Sequence, residues 1–318
     1  MLEISNVRLA ATSEPGFCHS FAAGDITVVL GANRSGKTNL CRLVAGLNSD
    51  ADGDIRLDGM DIAQLKPRKR PVSLVYQAFV NYPNLTVREN IASPMRARRM
   101  PARDRDWRVT ELAGMLQIPD LLDRLPHELS GGQQQRLAIA RALAKDARVL
   151  LLDEPLVNLD FKLREALEHE LRSLLRTSGT IVIYTSSDPR DAFALGDQVL
   201  LLGSGQKLQT GPPTEIYQRP SSFIAMELLA EPCINRFDQA GKECALRPEH
   251  VGIDHEIGSS NDLRFEMSIS AYETNGDESF IHGRVADQEW VVRSPGMREL
   301  QVGSKLRLRA RRADVVSF

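Results

Sequence analysis

The chain has 318 residues, enough for one large and one small domain that each bury a core. Its 40 lysines and arginines stand against 42 aspartates and glutamates, so the overall charge does not favour binding to nucleic acid. The four cysteines lack CxxC spacing and are too few for a disulfide scaffold, which suits a reducing cytosol. No apolar run approaches the roughly 18 residues of a membrane-spanning helix, and the N-terminus lacks a signal-peptide pattern, so a soluble chain is expected.

Three apolar runs rich in β-formers predict strands that are buried on both faces of a sheet. They cover Ile26–Leu30, Val149–Leu152 and Thr180–Tyr184. The first run leads into a glycine-rich segment, after which a helix is expected from about residue 37 to residue 47. Strands that alternate with helical stretches predict an α/β fold with a mainly parallel sheet.

Between the first two strands, residues of about 85 to 125 read mostly as helix. A further helix is expected from Leu163, and its leucines are interpreted as core. The basic stretches Lys66–Arg70 and Arg96–Arg108 are interpreted as solvated surface. After Pro220 the composition changes to short β-like pieces between Gly, Asn, Asp and Pro, which predicts a small antiparallel barrel.

Residues 31–38 read GANRSGKT and fit the pattern G-x-x-x-x-G-K-[ST] between a strand and a helix. Backbone N–H groups in such a loop face phosphates, the lysine neutralises the β and γ oxygens, and the threonine hydroxyl ligates Mg²⁺. The pattern predicts binding of ATP with Mg²⁺. The residues expected at the nucleotide are Gly31, Asn33, Arg34, Ser35, Gly36, Lys37, Thr38 and Asn39.

A carboxylate pair ends the second apolar strand. Asp153 is placed to hold Mg²⁺, and Glu154 is placed to polarise the water that attacks the γ-phosphate. An Asp-Glu pair alone is usually a surface turn. Here the Asp-Glu pair follows four apolar residues of a predicted buried strand and lies downstream of a phosphate loop. The pair is therefore predicted to be the catalytic centre.

Residues 129–136 read LSGGQQQR, and a helix is expected to begin here. Ser130 with the backbone of Gly131 and Gly132 forms a second anion-binding nest, and Gln133 is included among the expected nucleotide contacts. A second nest for the same phosphate is redundant within one subunit. The order of phosphate loop, signature and Asp-Glu pair resembles the ATP-binding cassette (ABC) family, in which each signature closes over nucleotide held by a partner subunit.

The resemblance covers nearly the whole chain and implies further roles. Gln77 matches the family's Mg²⁺-sensing glutamine, which the resemblance places among the metal and catalytic residues, and Asp160 matches an aspartate that reports across the dimer. The resemblance implies an ABC nucleotide-binding domain at residues 1–230, with a helical subdomain at about 78–135 that grips a permease. It also implies a C-terminal accessory β-barrel domain at residues 235–318.

Further sequence segments narrow the resemblance to importer ATPases. Residues 217–220, 246–251 and 302–305 look like the accessory barrel of carbohydrate-importer ATPases, and residues 76–83 and 89–94 look closest to the glycerol-importer subunits of proteobacteria. The implied assembly has a second ATPase subunit, two integral-membrane permease subunits and, indirectly, a solute-binding protein. The resemblance implies that this chain lies at the cytoplasmic face of the bacterial inner membrane. The implied cargo is glycerol or a related polyol or sugar.

Three positions depart from the family pattern. Ser187 stands where the family has a histidine that contacts the γ-phosphate and the attacking water, and a serine cannot carry positive charge. Arg34 stands where the family usually has glycine, which strains the loop unless the backbone there is ordinary. The N-terminal segment at residues 8–12 lacks the tyrosine that in the family usually stacks on adenine, and Phe17 is the candidate substitute, although a core role is the more common one for such an aromatic.

These departures suggest an asymmetric pair in which this chain lends its signature to a partner while its own site, with Ser187 among the catalytic residues, turns over slowly. A homodimer in which Ser187 suffices is the alternative arrangement. Two other functions are considered. One is a regulatory subunit that binds ATP without hydrolysis, and the other is a soluble ABC ATPase of DNA repair or translation. The absence of long coiled coils, zinc-binding cysteines and a basic stripe disfavours the latter and any nucleic-acid partner.

Overall fold

The computed structural model describes residues 1–9, 16–48, 53–157, 161–177, 179–253 and 262–318. The chain divides into two compact units, Met1–Ile216 and Tyr217–Phe318. In chain order the strands and helices are β1 Leu2–Val7, β2 Phe17–Phe21, β3 Ile26–Leu30, α1 Lys37–Ala45, β4 Asp54–Leu57, β5 Met60–Asp61, β6 Val72–Val75, α2 Val87–Ala97, α3 Ala102–Met115, α4 Gly131–Ala144, β7 Val149–Asp153, α5 Phe161–Thr177, β8 Ile181–Ser186, α6 Pro189–Leu195, β9 Gln198–Gly203, β10 Gln206–Gly211, α7 Pro213–Gln218, α8 Phe223–Leu228, β11 Asn235–Gln239, β12 Lys242–Leu246, β13 Val251–Ile253, β14 Leu263–Thr274, β15 Glu278–Val285, β16 Gln288–Pro295, β17 Lys305–Ala310 and β18 Val316–Ser317.

The larger unit is built on a six-stranded sheet in the order β10-β9-β3-β8-β7-β6. All its neighbouring pairs are parallel except β10 with β9, which confirms the predicted α/β class. The strands β3, β7 and β8 are buried along their whole length, as their apolar sequences predict. The strand β8 ends at Ser186 and not at Tyr184, because its pairing continues to Thr185 with β7 and to Ser186 with β3.

A second, antiparallel sheet in the order β2-β1-β4-β5 completes this unit. Its buried side chains share one hydrophobic core with α1 and the parallel sheet. Phe17 and Phe21 of β2 belong to this core, and each is 1% exposed. Because α1 is anchored in this core, the phosphate loop that precedes it is held in place.

Helix ends follow local sequence signals. The helix α1 ends before Gly46, whose φ of 78° is a left-handed conformation that glycine adopts without strain. The helix α2 begins at a capping box formed by Thr86 and Glu89. In α5, the leucines 167, 171 and 175 are buried, so the predicted apolar face is confirmed for these three positions.

Arg70 corrects the interpretation of residues 66–70 as solvated surface. Its side chain is 6% exposed. The guanidinium donates hydrogen bonds to the carbonyl oxygens of Leu43 and Val44, each at 2.9 Å, and of Ala63 at 2.6 Å and Leu65 at 3.0 Å. Two of these carbonyls, those of Leu43 and Val44, belong to the last turn of α1, and the Leu43 carbonyl also accepts from the N–H of Gly46 at 3.0 Å. Arg70 therefore caps α1, a role that a count of basic residues does not reveal.

The smaller unit is antiparallel, as predicted. It contains a five-stranded sheet in the order β13-β17-β14-β15-β16 and a three-stranded sheet in the order β11-β12-β18. Its core holds Trp290, which is 1% exposed and packs against the rings of Phe237 and Phe265. All four cysteines of the chain are free thiols. Within the described ranges, the helices are too short or too polar for any of them to span a bilayer.

Candidate nucleotide-binding and hydrolysis site

The phosphate loop joins the end of β3 to the start of α1, and two of its positions require glycine. A Cβ on Gly31 would lie 2.5 Å from both the carbonyl oxygen of Leu202 and the Oγ of Ser35. Gly36 has a φ of 107°, and a Cβ there would lie 3.1 Å from the Cβ of Leu9. The loop is thus held close to the sheet, and the N-terminus of α1 faces the ligand that the loop binds.

Lys37 is almost fully buried at the start of α1, with 5% of its side chain exposed. Its ammonium donates to the carbonyl oxygens of Gly31 at 2.6 Å and Ala32 at 3.1 Å, and lies 3.6 Å from the carboxylate of Glu154. Burial lowers the pKa of Lys37, while the carboxylates of Glu154 and Asp153 act in the opposite direction. The loop thereby holds a cation at the place where phosphate charge would be neutralised.

The hydroxyl groups of two threonines meet at Asp153, the last residue of β7. Thr38 donates to Oδ1 of Asp153 at 3.2 Å, and Thr185 of β8 donates to the same oxygen at 2.8 Å. Asp153 is 3% exposed and Thr185 is fully buried. Two of the three residues predicted to hold Mg²⁺, Thr38 and Asp153, are therefore in direct contact.

Glu154 follows β7 in a left-handed backbone conformation with a φ of 47°. Its N–H donates to both the carbonyl oxygen and the hydroxyl of Thr185, at 3.2 and 3.1 Å. Its carboxylate accepts a hydrogen bond from Nε2 of Gln77 at 3.1 Å. The predicted base, the predicted glutamine and Lys37 thus form one contiguous group.

The side chains of the phosphate loop and of Asp153 fit the binding of ATP with Mg²⁺. The Oγ of Ser35 is buried inside the loop without a hydrogen-bond partner, which suits a site completed by phosphate oxygens. Mg²⁺ in nucleotide sites takes one or two protein oxygens and completes its shell with phosphates and water. The hydroxyl of Thr38 and the carboxylate of Asp153 are such ligands. Across the described ranges there is no group of three His, Cys, Asp or Glu side chains that would hold a metal on its own.

The signature lies at the start of α4, with its Leu129 and Gln135 side chains buried. Ser130 caps the helix by accepting from the N–H of Gln133, whose side chain accepts in return from the N–H of Ser130. Ser130 and Gly131 are exposed, and a Cβ on Gly131 would meet no atom within 4 Å. Among described residues, no hydrogen bond or ion pair joins Ser130, Gly131, Gly132 or Gln133 to the phosphate loop. A separate ligand for this surface stays a prediction.

The departures from the family pattern have different structural outcomes. Arg34 is exposed and has a φ of 66°, so the loop does place a non-glycine residue in a left-handed conformation. Ser187 is exposed directly after β8. The choice of Phe17 as a candidate for adenine stacking needs correction, because its ring is buried in the hydrophobic core. Asn39 is tied to the backbone by a 2.8 Å hydrogen bond to the carbonyl oxygen of Leu9.

Asn33 is exposed in the loop. Asp160 lies outside the described residues.

The sequence did not reveal an ionic cluster beside Ser187. Arg164 of α5 lies 2.8 Å from Glu168, 2.9 Å from Asp188 and 2.5 Å from Asp191. The hydroxyl of Ser186 also donates to Asp191. Burial lowers the pKa of Arg164, but the hydrogen-bonded carboxylates of Asp191 and Glu168 outweigh burial and raise it. The cluster fixes the start of α5 to the turn that carries Ser187.

Comparison with known proteins agrees with this geometry. The ABC transporter family profile matches residues 17–157, and the TOBE domain profile matches residues 244–318. The chain is 35% identical to the sn-glycerol-3-phosphate import ATP-binding protein UgpC of Cereibacter sphaeroides, over 92% of this chain and 89% of that protein. It is 36% identical to the UgpC protein of Rhodopseudomonas palustris, over 86% of this chain and 80% of that protein.

The chain therefore belongs to the ATP-binding subunits of ABC transporters, and the resemblance stated from its motifs is confirmed. A solved structure agrees with the fold, namely a dimeric post-hydrolysis state of the ATP-binding cassette MJ0796 bound to ADP and Pi. That chain is 26% identical, with a TM-score of 0.61, and the match covers 67% of this chain and 99% of that one. The chain is thus an ATPase of the ABC type.

Proposed function

We propose that this chain hydrolyses ATP to drive the import of glycerol 3-phosphate or a related polyol or sugar. The observation that carries the proposal is the contact of both Lys37 and Gln77 with Glu154, beside the Thr38–Asp153 pair. The cargo is taken from the names of the relatives, which are glycerol-3-phosphate import proteins in several bacteria.

Each residue of the group has a part in the reaction. The loop N–H groups and Lys37 bind the phosphates, and Thr38 with Asp153 would hold Mg²⁺, which supplies charge neutralisation. Glu154 accepts a proton from the water whose oxygen attacks the γ-phosphorus, and the bond from that phosphorus to the ADP oxygen breaks. Gln77 orients the carboxylate of Glu154 by its hydrogen bond at 3.1 Å.

The signature at Ser130–Gln133 is proposed to complete a site on another cassette. Ser130 and Gln133 use their own N–H groups in the capping box, but within the described residues the N–H groups of Gly131 and Gly132 at this helix N-terminus have no hydrogen-bond acceptor. Two solved structures of the cassette MJ0796 are dimeric, so we propose that two copies of this chain pair head to tail. The mixed pair expected from Ser187 has no such support. In the proposed assembly the ATPase pair lies at the cytoplasmic face of a bacterial inner membrane, against two integral-membrane permease subunits that are served by a solute-binding protein.

The site of this chain is proposed to turn over slowly. Ser187 occupies the position of the family histidine and brings no positive charge toward the γ-phosphate. Loss of one contact that stabilises a transition state costs on the order of 10²–10³ in rate. A weak basal ATPase activity is therefore expected of the isolated full-length chain.

The substitution Glu154→Gln tests hydrolysis and pairing together. We expect the variant to lose ATP turnover and, with Mg²⁺ and ATP, to elute at twice the 35.3 kDa mass of the chain in chromatography with light scattering. The exposed Glu165→Gln serves as the charge-matched control and should behave like the wild type. Equal ATPase rates for wild type and Glu154→Gln would instead support a regulatory subunit that does not hydrolyse ATP.

The transport role has its own test. The chain is reconstituted in vesicles with the permease subunits and the solute-binding protein of the proposed assembly. Glycerol 3-phosphate bound to the solute-binding protein is expected to stimulate ATP hydrolysis and to enter the vesicles. Stimulation by nucleic acid in place of the solute-binding protein would contradict the importer role.

A further inference from the structure

Thr185 occupies a position at which one hydroxyl touches both acidic residues of the site. It lies in β8 directly opposite Asp153 of β7 in the parallel register, and it is fully buried. Its hydroxyl donates to Oδ1 of Asp153 at 2.8 Å and accepts from the N–H of Glu154 at 3.1 Å. Neither the phosphate-loop pattern nor the carboxylate pair points to this residue, because it lies about 30 positions further along the chain.

The hydroxyl of Thr185 both donates and accepts within the site. Its single proton goes to Asp153, and the oxygen accepts from the N–H of Glu154. Oδ1 of Asp153 also accepts from Thr38. Two donors on one oxygen fix the rotation of the carboxylate about its χ2 angle, an angle that is otherwise broad.

The same hydroxyl also supports an unusual backbone. Glu154 has a φ of 47°, and such a conformation in a residue other than glycine persists only where surrounding contacts hold it. Its N–H is held by the hydroxyl and the carbonyl oxygen of Thr185 together. The backbone conformation of Glu154 sets the direction in which its side chain projects. The contacts of that side chain with Lys37 and Gln77 therefore depend on the hydrogen bonds from Thr185.

We propose that Thr185 is a positioning residue for ATP hydrolysis, which orients the Asp153 carboxylate toward Mg²⁺ and fixes the backbone from which Glu154 projects. This inference rests on the proposed binding of ATP with Mg²⁺ at this site. Thr185 itself touches neither nucleotide nor water in the proposed reaction. Its effect is exerted through the two acidic residues.

The test compares Thr185→Val, which keeps the shape and removes the hydroxyl, with Thr185→Ser, which keeps the hydroxyl. The matched control is Thr27→Val, which removes a hydroxyl from a threonine of β3 that is 2% exposed in the same sheet. Binding of ATPγS to the full chain is measured with Mg²⁺ and with EDTA, beside the melting temperature. The quantity of interest is the ratio of the two affinities, since general destabilisation does not change it.

We expect Thr185→Val to reduce the gain in affinity that Mg²⁺ gives by about tenfold, the effect of one hydrogen bond to a charged group. Thr185→Ser should restore the gain, and Thr27→Val should leave it intact. A wild-type gain that survives in Thr185→Val overturns the inference, and so does a loss that Thr185→Ser does not repair. If the wild type itself shows no gain from Mg²⁺, the proposed function fails, which is a separate outcome.

Discussion

The ammonium of Lys37 lies 3.6 Å from the carboxylate of Glu154. The cation that is proposed to bind phosphate therefore rests against the proposed general base, and both side chains are largely buried, at 5% and 15% exposed. Phosphate oxygens and Glu154 compete for one ammonium, so nucleotide binding has to weaken this ion pair. The carboxylate needed for hydrolysis is thereby expected to reduce affinity for the nucleotide.

The first prediction concerns nucleotide affinity. Glu154→Gln should bind ATPγS about fivefold more tightly than the wild type, because about 1 kcal/mol of ion-pair energy no longer opposes binding. Isothermal titration calorimetry measures the difference, with the exposed Glu165→Gln as the control for a change in net charge. Unchanged affinity in Glu154→Gln would mean that Lys37 is equally available in both proteins.

The second prediction concerns Ser187. Replacing it with histidine restores, at the position of the family histidine, a group that can carry positive charge, so Ser187→His should raise the ATPase rate by on the order of tenfold to 100-fold. The control Ser187→Ala removes only the hydroxyl and should stay near the wild-type rate. The rates are measured at saturating ATP so that kcat is compared. A rate in Ser187→His no higher than in Ser187→Ala would show that the serine does not limit turnover.

The third prediction concerns Arg70. The change Arg70→Lys keeps a positive charge but cannot reach four backbone carbonyls, since an ammonium lacks the planar fork of a guanidinium. Unpaired buried carbonyls cost about 1–3 kcal/mol each in the free energy of unfolding, so the larger unit should unfold at clearly lower urea concentration. The neighbouring Arg68→Lys, at an exposed position, is the matched control. Equal loss of stability in the two variants would contradict the capping role.

The strands, the first helix and the class of the fold follow from the sequence because their signals are local. The run of β7 is apolar up to Asp153, and Thr27 is the one polar residue in the run of β3. Such features are set by residues adjacent in the chain, and the sequence displays them directly.

The features that the sequence did not reveal depend on residues distant in the chain. Arg70 reads as one more residue of a basic run until the carbonyls of α1 are placed beside it. Thr185 reads as a residue after a strand until the register sets it against Asp153. Phe17 offers an aromatic ring at a plausible place, and only the packing of two sheets decides that the ring is core. Register and packing are tertiary properties, which no local pattern encodes.

The fourth prediction concerns pH and His19, which lies in β2 with its ring 4.6 Å from that of Phe21. Burial, with a smaller effect of the charge on Lys207, lowers the pKa of His19 from 6.5 to about 4. Above pH 6.5 the imidazole is neutral in both the folded and the unfolded chain, so His19 does not alter the pH dependence there. As the pH falls below 6.5 the unfolded chain takes up a proton first, and the free energy of unfolding decreases until about pH 4.

At pH 5 this loss amounts to about 2 kcal/mol relative to pH 7.5. The variant His19→Asn cannot titrate, so it should lose less stability than the wild type between the two pH values. Urea unfolding at pH 7.5 and pH 5 gives the comparison, and the lost ring contact with Phe21 cancels because it affects both measurements equally. Parallel losses in the two proteins would show that His19 is protonated as readily in the folded chain as in the unfolded one.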